Sequence, residues 1–262
     1  MKEAILKACA TLGIQTETLS DGYILRLTKG STVQHIYGSH IDANPAAADR
    51  IACDKAACYA VLNHSGIPAI PHHLLQHPTH RREYLGENST WLRALTFLSQ
   101  YKQVVIKPNH GTNGKGIYLC KTIGTLETAI DDAFQTSPTV ALSPFYELTT
   151  EYRIFYVFGK TPLVYAKTPA ENSWKHNLNQ GATAVEVTDK KKLAILTKMA
   201  SNAAKAININ FATVDIAQTK TGELLVMEIN AGVQTKKLLE QIPHLQPQVL
   251  EIYTYAIQNL FT

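Results

Sequence analysis

Two apolar runs joined by a turn constrain this chain more than any other stretch. They are Phe211-Ala-Thr-Val-Asp-Ile-Ala217 and Leu224-Leu-Val-Met-Glu-Ile-Asn230, separated by Thr219-Lys-Thr-Gly222. β-Branched and long apolar residues around a glycine turn predict an antiparallel hairpin. Residues two apart on a strand share a face, so Glu228 and Asn230 point together, and Asp215 joins them from the neighbouring strand. Unpaired acids among Ile, Val and Met would be costly. Three hard oxygen donors on one face suit instead Mg2+ bridging the phosphates of a nucleotide.

A second stretch bears on the same chemistry. Val104-Val-Ile-Lys107 reads as a buried strand that breaks into Pro-Asn-His-Gly-Thr-Asn-Gly-Lys-Gly116. Gly111, Gly114 and Gly116 are free to take positive φ and let N–H groups approach an anion, and Lys107 and Lys115 add positive charge. The order is neither a Walker loop nor a Gly-x-Gly-x-x-Gly opening a helix. Another strand, Ile117 to Cys120, follows. The glycines therefore form a hairpin-like flap, which by itself is equally a flexible turn or a phosphate cradle.

The remaining segments set these two in order. Ile5 to Leu12 has helical spacing, and Tyr23–Leu27 and Val33–Tyr37 form a hairpin around Thr-Lys-Gly-Ser. Asn44-Pro45 predicts a helix start capped by Asn44, with a break and restart near Asp54 that puts Lys55 in a first turn. Residues 76–90 read as a polar loop and Trp91–Tyr101 as a helix. Thr125 is expected to cap a helix to Phe134, Thr139–Leu142 to be a strand, and Ser143-Pro144 to connect two lobes. Tyr152–Phe158 and Leu163–Thr168 flank Gly159-Lys-Thr-Pro162, a turn that, centred on Lys160, sets Arg153 opposite Lys167. Two cations side by side repel unless an anion lies between them or Glu151 and Glu171 neutralise them. Thr188 is expected to cap a long helix to Ile207, and a last helix starts near Pro247.

Composition narrows the class. The chain has 262 residues, 45% hydrophobic and 18% charged, with a net charge of +4 from dispersed basic residues. That is an ordinary globular composition, with no concentrated basic surface for nucleic acid and no apolar run long enough to span a membrane. A cytoplasmic protein is expected. Cys9, Cys53, Cys58 and Cys120 are scattered and read as reduced thiols. His72, His73, His77 and His80 lie in a Pro-rich stretch without acid or thiol partners at ligand spacing, and read as solvated rather than zinc-binding.

Taken in order, Lys55, Lys107 with the Gly111–Gly116 loop, the connector at 143–147, Arg153 through Lys167 to Lys175-His-Asn177, and then Asp215, Glu228 and Asn230 resemble the ATP-grasp superfamily. The likeness is strongest to its RimK-type amino-acid ligases and runs from about Ala48 to Thr235. It implies an α+β fold, two α+β lobes whose antiparallel sheets grip a nucleotide, preceded by a short N-terminal unit. The corresponding divisions are 1–47, 48–142 and 143–262. It also implies roles. Lys55 and Lys107 contact the α- and β-phosphates, and Gly111, Thr112, Asn113, Gly114, Lys115 and Gly116 close over the γ-phosphate. Ser143, Pro144, Phe145 and Tyr146 hold adenine, with Glu147 or Glu151 toward ribose. Asp215, Glu228 and Asn230 hold Mg2+, for which Mn2+ substitutes, while Arg153, Lys167, Lys175 and Asn177 face the transferring phosphate and the acyl phosphate.

The activity implied is ATP-dependent joining of a carboxylate, from a small molecule or peptide, to an amine. A kinase on the same fold, or a nucleotide-binding regulatory protein without turnover, are the alternatives. No nucleic-acid or membrane partner is expected, and assembly as a homo-oligomer is left open.

Overall fold

The computed structural model describes residues 1–79, 90–111, 116–171 and 176–262. The chain opens with α1 (Lys2–Thr11) and an antiparallel sheet of β1 (Gln15–Leu19), β2 (Ile24–Lys29), β3 (Thr32–Tyr37) and β4 (His40–Ile41). Next come α2 (Ala46–Cys53) and α3 (Lys55–His64), then β5 (His73–Gln76), α4 (Thr90–Tyr101), β6 (Val104–Pro108), β7 (Tyr118–Cys120), α5 (Ile123–Thr136) and β8 (Thr139–Pro144). The remainder is β9 (Leu148–Val157), β10 (Val164–Thr168), β11 (Thr183–Glu186), α6 (Lys190–Ala206), β12 (Phe211–Thr219), β13 (Leu224–Asn230), α7 (Lys236–Gln241) and α8 (Gln246–Asn259).

Strands β5, β8, β6 and β7, in that spatial order, form an antiparallel sheet covered on one face by α4 and α5. Alternation along β6 does the sorting. Val104 and Ile106 pack under the helices, and Val105 and Lys107 face the other way, beside Ala141 and Ser143 of β8. That second face is one wall of a cleft.

The other wall belongs to the five-stranded sheet β11-β10-β9-β12-β13. One face buries Ile154, Tyr156, Val214 and Ile216 against α2, α3 and α6. The opposite face buries Phe155, Val157, Tyr165 and Phe211 against α1, the N-terminal sheet and α8. Continuing along that second face toward the cleft, the row changes from apolar to charged. Arg153 pairs with Asp215 and Tyr165, Asp215 pairs with Glu228, and Lys167 pairs with Glu151.

Local chemistry departs from the sequence expectation at several places. Asn44 does not cap α2, whose N-cap position is Pro45. Its Oδ1 accepts from the N–H groups of Asn210 and Phe211 at 3.0 and 2.8 Å, and its Nδ2 donates to the Phe211 carbonyl at 2.9 Å. Asn44 thus latches the N-terminal unit to the start of β12. The α5 cap is Thr122, with Thr125 closing the capping box from the third position, and the α6 cap is Asp189, which accepts from Lys191 and Lys192 N–H groups. The helix restarts at Lys55 as expected, and Asp54 caps α3 through the Ala57 N–H at 2.8 Å.

The β9–β10 turn is centred on Phe158-Gly159, not Lys160. Both take positive φ, 44° and 86°, and Val157 and Lys160 exchange backbone hydrogen bonds across them. The register moves by two residues, so Arg153 does not face Lys167 directly, but the face is unchanged. His72 and His73 are not solvated. His72 is 3% exposed, and His73 packs edge-on to Phe97. His77 is half-buried, packs edge-on to Phe134 and bonds Thr79, and His80 lies outside the described residues. The four cysteines are free, and no helix among the described residues is long and apolar enough to cross a membrane.

If the Asn44 latch joins the two units, Asn44→Ala orphans two N–H groups and one carbonyl and is expected to cost about 2–4 kcal/mol. Urea unfolding with an unchanged m-value reads this directly; a loss under about 0.5 kcal/mol would show that the latch contributes nothing.

Candidate active site

Between the two sheets lies a cavity of about 590 Å3. One part of its lining is apolar: Ile70, Val105, Ile117, Phe145, Tyr146, Leu148 and Met227. Ile70, Tyr146, Leu148 and Met227 belong to one small hydrophobic cluster, so this part of the wall is packed from behind. The segment Ile67–Ile70 is pinned there because Ile70 N–H donates to the Val226 carbonyl and Val226 N–H to that of Pro68, each at 2.9 Å.

The other part of the lining is ionic. Asp215 is fully buried, and Arg153 grips it with both arms of its guanidinium, Nε to Oδ1 at 2.7 Å and Nη2 to Oδ2 at 2.6 Å. Lys167 Nζ donates to the same Oδ2 at 3.3 Å and also pairs with Glu151. The anion needed between the two cations is therefore Asp215, reached from the next strand. Burial would raise the Asp215 carboxyl, but Arg153 and Lys167 outweigh it and hold it below the usual range. Burial likewise opposes the charge on Arg153, and Asp215 more than restores it.

Glu228 and Asn230 lie beside this pair, as the strand alternation predicts. Asn230 Nδ2 donates to Glu228 Oε1 at 3.1 Å and to Asp215 Oδ2 at 3.4 Å. A donor bridging two carboxylates stands where a small cation would bridge them, and turning the amide over presents its oxygen instead. The donor set is all oxygen, which fits Mg2+.

Lys55 is not a solvated surface residue. Its ammonium donates to the Gly111 carbonyl at 2.9 Å and lies 4.0 Å from Glu228 Oε2. The start of the glycine loop is docked on α3 as well, through Asn109 Oδ1 accepting from the Ala56 N–H at 3.1 Å. Gly111 does not have positive φ, yet a Cβ there would lie 2.8 Å from Pro108 Cβ, so only glycine fits the fold-back. Gly116 has φ of 65°. Thr112, Asn113, Gly114, Lys115 and Lys175 lie outside the described residues.

Of the residues singled out from sequence, Lys55, Lys107, Gly111, Ser143, Pro144, Phe145, Tyr146, Glu151, Arg153, Lys167, Asn177, Asp215, Glu228 and Asn230 line the one cavity. Gly116 and Glu147 are not in its lining. Glu147 is exposed and pairs with Lys220 at 2.9 Å, while Glu151 is buried on Lys167. The Phe145 N–H is used by the Gln103 carbonyl. Ser39, His40 and Gln234, which sequence reasoning missed, join Lys236 and Lys237 in closing the cavity from the N-terminal unit and from the segment after Asn230. No periodicity marks them.

A match to the RimK-like ATP-grasp domain spans residues 52–244 and takes in every residue of the ionic cluster. The chain belongs to the RimK-like ATP-grasp family. Among curated relatives of this ATP-grasp chain, a probable alpha-L-glutamate ligase of Psychromonas ingrahamii is 32% identical over 131 residues, 49% of this chain and 42% of the relative. A cyanophycin synthetase of Nostoc sp. is 26% identical over 184 residues, 70% of this chain and 18% of the relative. The chain thus spans less than half the length of these relatives. Among solved structures, D-alanyl-alanine synthetase A of Vibrio cholerae aligns with 99% of this chain and 95% of its own, at 14% identity and a TM-score of 0.66. D-alanine–D-alanine ligase of Bacillus anthracis complexed with ATP covers 83% and 70%, at 17% identity and 0.59. Both carry the ATP-grasp fold.

Lys107 gives this site a measurable signature. Burial lowers its ammonium to about 8, with Glu228 raising it again and Lys55 lowering it further. The folded state therefore binds fewer protons than the unfolded chain between about 8 and 10.5, and stability rises with pH across that window. The destabilisation is full below the folded value and vanishes above the unfolded one. Relative to Lys107→Met, the wild type is expected to gain roughly 3 kcal/mol between about pH 7.5 and 10.5. Comparing the two proteins cancels the opposing contributions of the buried thiols; a pH-independent difference would mean that Lys107 is not buried as a cation.

Proposed function

We propose that this chain is an ATP- and Mg2+-dependent carboxylate–amine ligase that forms an amide or peptide bond through an acyl phosphate and releases ADP and phosphate. The observation that carries this reading is the ionic cluster of Arg153, Lys167, Asp215, Glu228 and Asn230 set beside an apolar pocket in one cavity of an ATP-grasp fold.

The pocket around Ile70, Val105, Phe145, Tyr146 and Met227 takes the adenine, with backbone groups of 143–146 along its edge. Lys55 and Lys107 reach the α- and β-phosphates. The loop from Gly111 to Gly116 closes over the γ-phosphate, and its foothold on α3 through Lys55 and Asn109 supports that role. Asp215, Glu228 and Asn230 hold Mg2+. Bound there, the cation would neutralise the phosphate charge that builds up during transfer.

The chain's own residues do the positioning. Arg153 and Lys167, steered by Asp215 and Glu151, aim their charge at the phosphate transferred to the substrate carboxylate. The carboxylate oxygen attacks, ADP departs, and the amine then displaces phosphate from the acyl carbon. Lys175 and Asn177 are assigned to the same phosphate, and Asn177 is steadied by accepting from the Asn179 N–H at 2.8 Å. No nucleophilic side chain is required. A free or peptide-borne carboxylate and an amine are the substrate classes this implies, in the cytoplasm. The names of the relatives direct the first trials to glutamate.

Glu228→Gln keeps the volume and removes the charge. It is expected to unfold within about 1 kcal/mol of wild type and to lose ADP release by at least ~100-fold, since even indirect changes at metal sites cost about 10- to 100-fold. Undiminished turnover would remove Glu228 from the site. An ADP-release screen of amino acids and dipeptides, with hydroxylamine as trap, tests the reaction class. A hydroxamate marks an acyl phosphate, whereas ADP without one points to phosphoryl transfer onto a hydroxyl.

A further inference from the structure

Taking the ligase reading as its basis, we infer that His40, oriented by Asp49, is the general base that deprotonates the incoming amine. The N-terminal unit would then be part of the catalytic machinery and not only a wall.

The geometry is that of a histidine–carboxylate dyad. His40 Nδ1 lies 3.2 Å from Asp49 Oδ1, and Asn44 Nδ2 holds the same oxygen at 3.4 Å. With Nδ1–H donated to Asp49, Nε2 is left as the acceptor. It has no hydrogen-bond partner among the described residues. His40 lines the active-site cavity, and the ring edge at Nε2 lies 3.2 Å from where a Cβ on Gly232 would stand. Gly232 is two residues beyond Asn230, about 7 Å of backbone from the metal-holding cluster. The basic nitrogen therefore stands in the cavity lining beside the segment that follows Asn230, next to the residues proposed to hold the metal.

The groups around His40 favour this role. Asp49 raises its basicity, burial works against it, and Arg50 on the same helix opposes it weakly. Cys53, one turn along α2, is kept neutral mainly by burial, so it adds no competing charge. Lys236 and Lys237 line the same cavity, where a carboxylate on the amine substrate would find them, and Lys237 is shared with Glu240.

The chemistry calls for such a group. An amine arrives as an ammonium, with no lone pair to attack, and its nitrogen gives up two protons on becoming an amide. His40 Nε2 takes the first, which frees the lone pair to form the N–C bond. The C–O bond to phosphate then breaks with its electron pair on oxygen, and phosphate carries the second proton away. His40 returns its proton to solvent, so the net products are amide, hydrogen phosphate and one proton.

Hydroxylamine isolates this step, because it is already uncharged at neutral pH and needs no base. Wild type, His40→Gln and Asp49→Asn would be assayed at pH 7 with ATP, Mg2+ and a panel of amino acids and dipeptides. Hydroxamate and peptide products would be measured in parallel. His40→Gln is expected to lose peptide formation by about 100-fold or more, the usual worth of a general base, and to regain part of it as pH rises. Its hydroxamate formation should stay within a few-fold of wild type, which also reports that it is folded. Asp49→Asn should move the acidic midpoint of peptide formation to lower pH. Equal loss of both products in His40→Gln, retention of both, or an unmoved midpoint in Asp49→Asn each overturns the assignment. If wild type makes no hydroxamate from any carboxylate in the panel, the ligase reading falls and the base with it.

Discussion

The site depends on one buried carboxylate. Asp215 sits on a strand with no access to solvent, among residues that would not tolerate a lone charge. Its two oxygens are gripped by Arg153, and Lys167 is held between it and Glu151. Two cations and two anions thus balance across three adjacent strands. Breaking such a set by removing one member leaves an uncompensated buried charge, which is why the four side chains have little freedom to move. That rigidity is what a phosphate-transfer site needs, since most of its work is holding charge in place before the reaction begins.

Beyond this balanced core the cavity is short of anions. Lys55 stands 4.0 Å from Glu228, and Lys107 is buried with no carboxylate within ion-pair distance among the described residues. A cationic group kept in a dry cleft at a cost to stability gains most when an anion arrives. The apolar pocket alongside gives that anion an aromatic or heterocyclic body to be attached to, which together describe a nucleotide.

The five-stranded sheet explains how one face serves both stability and chemistry. Along β9 and β12 the same side of the sheet carries Val157 and Phe211, then Phe155 and Thr213, then Arg153 and Asp215. The first rows are sealed by α1, α8 and the N-terminal sheet, and the last opens into the cleft. Through the Asn44 latch, the sealing unit also brings Ser39 and His40 over Gly232. A small N-terminal unit is therefore enough to finish the cavity.

Much of this was legible in the sequence because it is local. Strand alternation put Glu228 and Asn230 on one face, the break near Asp54 placed Lys55 in a first turn, and the order of the motifs pointed to an ATP-grasp chain. Other features depended on contacts between distant segments. Phe158 adopting a left-handed conformation moved the β9–β10 register by two residues, and no propensity signals that for a phenylalanine. Asn44 looks like a cap beside Pro45 and becomes a latch only because Asn210 and Phe211, at the entry to β12, present their N–H groups to it. His72 reads as a loop histidine until the sheet closes over it. The sequence by itself determined which residues carry charge and which face of each strand they take, since both follow from neighbours a few positions away. Only the tertiary structure decided that Asp215 is the counter-ion of Arg153 and Lys167, and that His40 meets the segment just after Asn230, because the first depends on how strands distant in sequence pair within one sheet and the second on how the N-terminal unit packs against it.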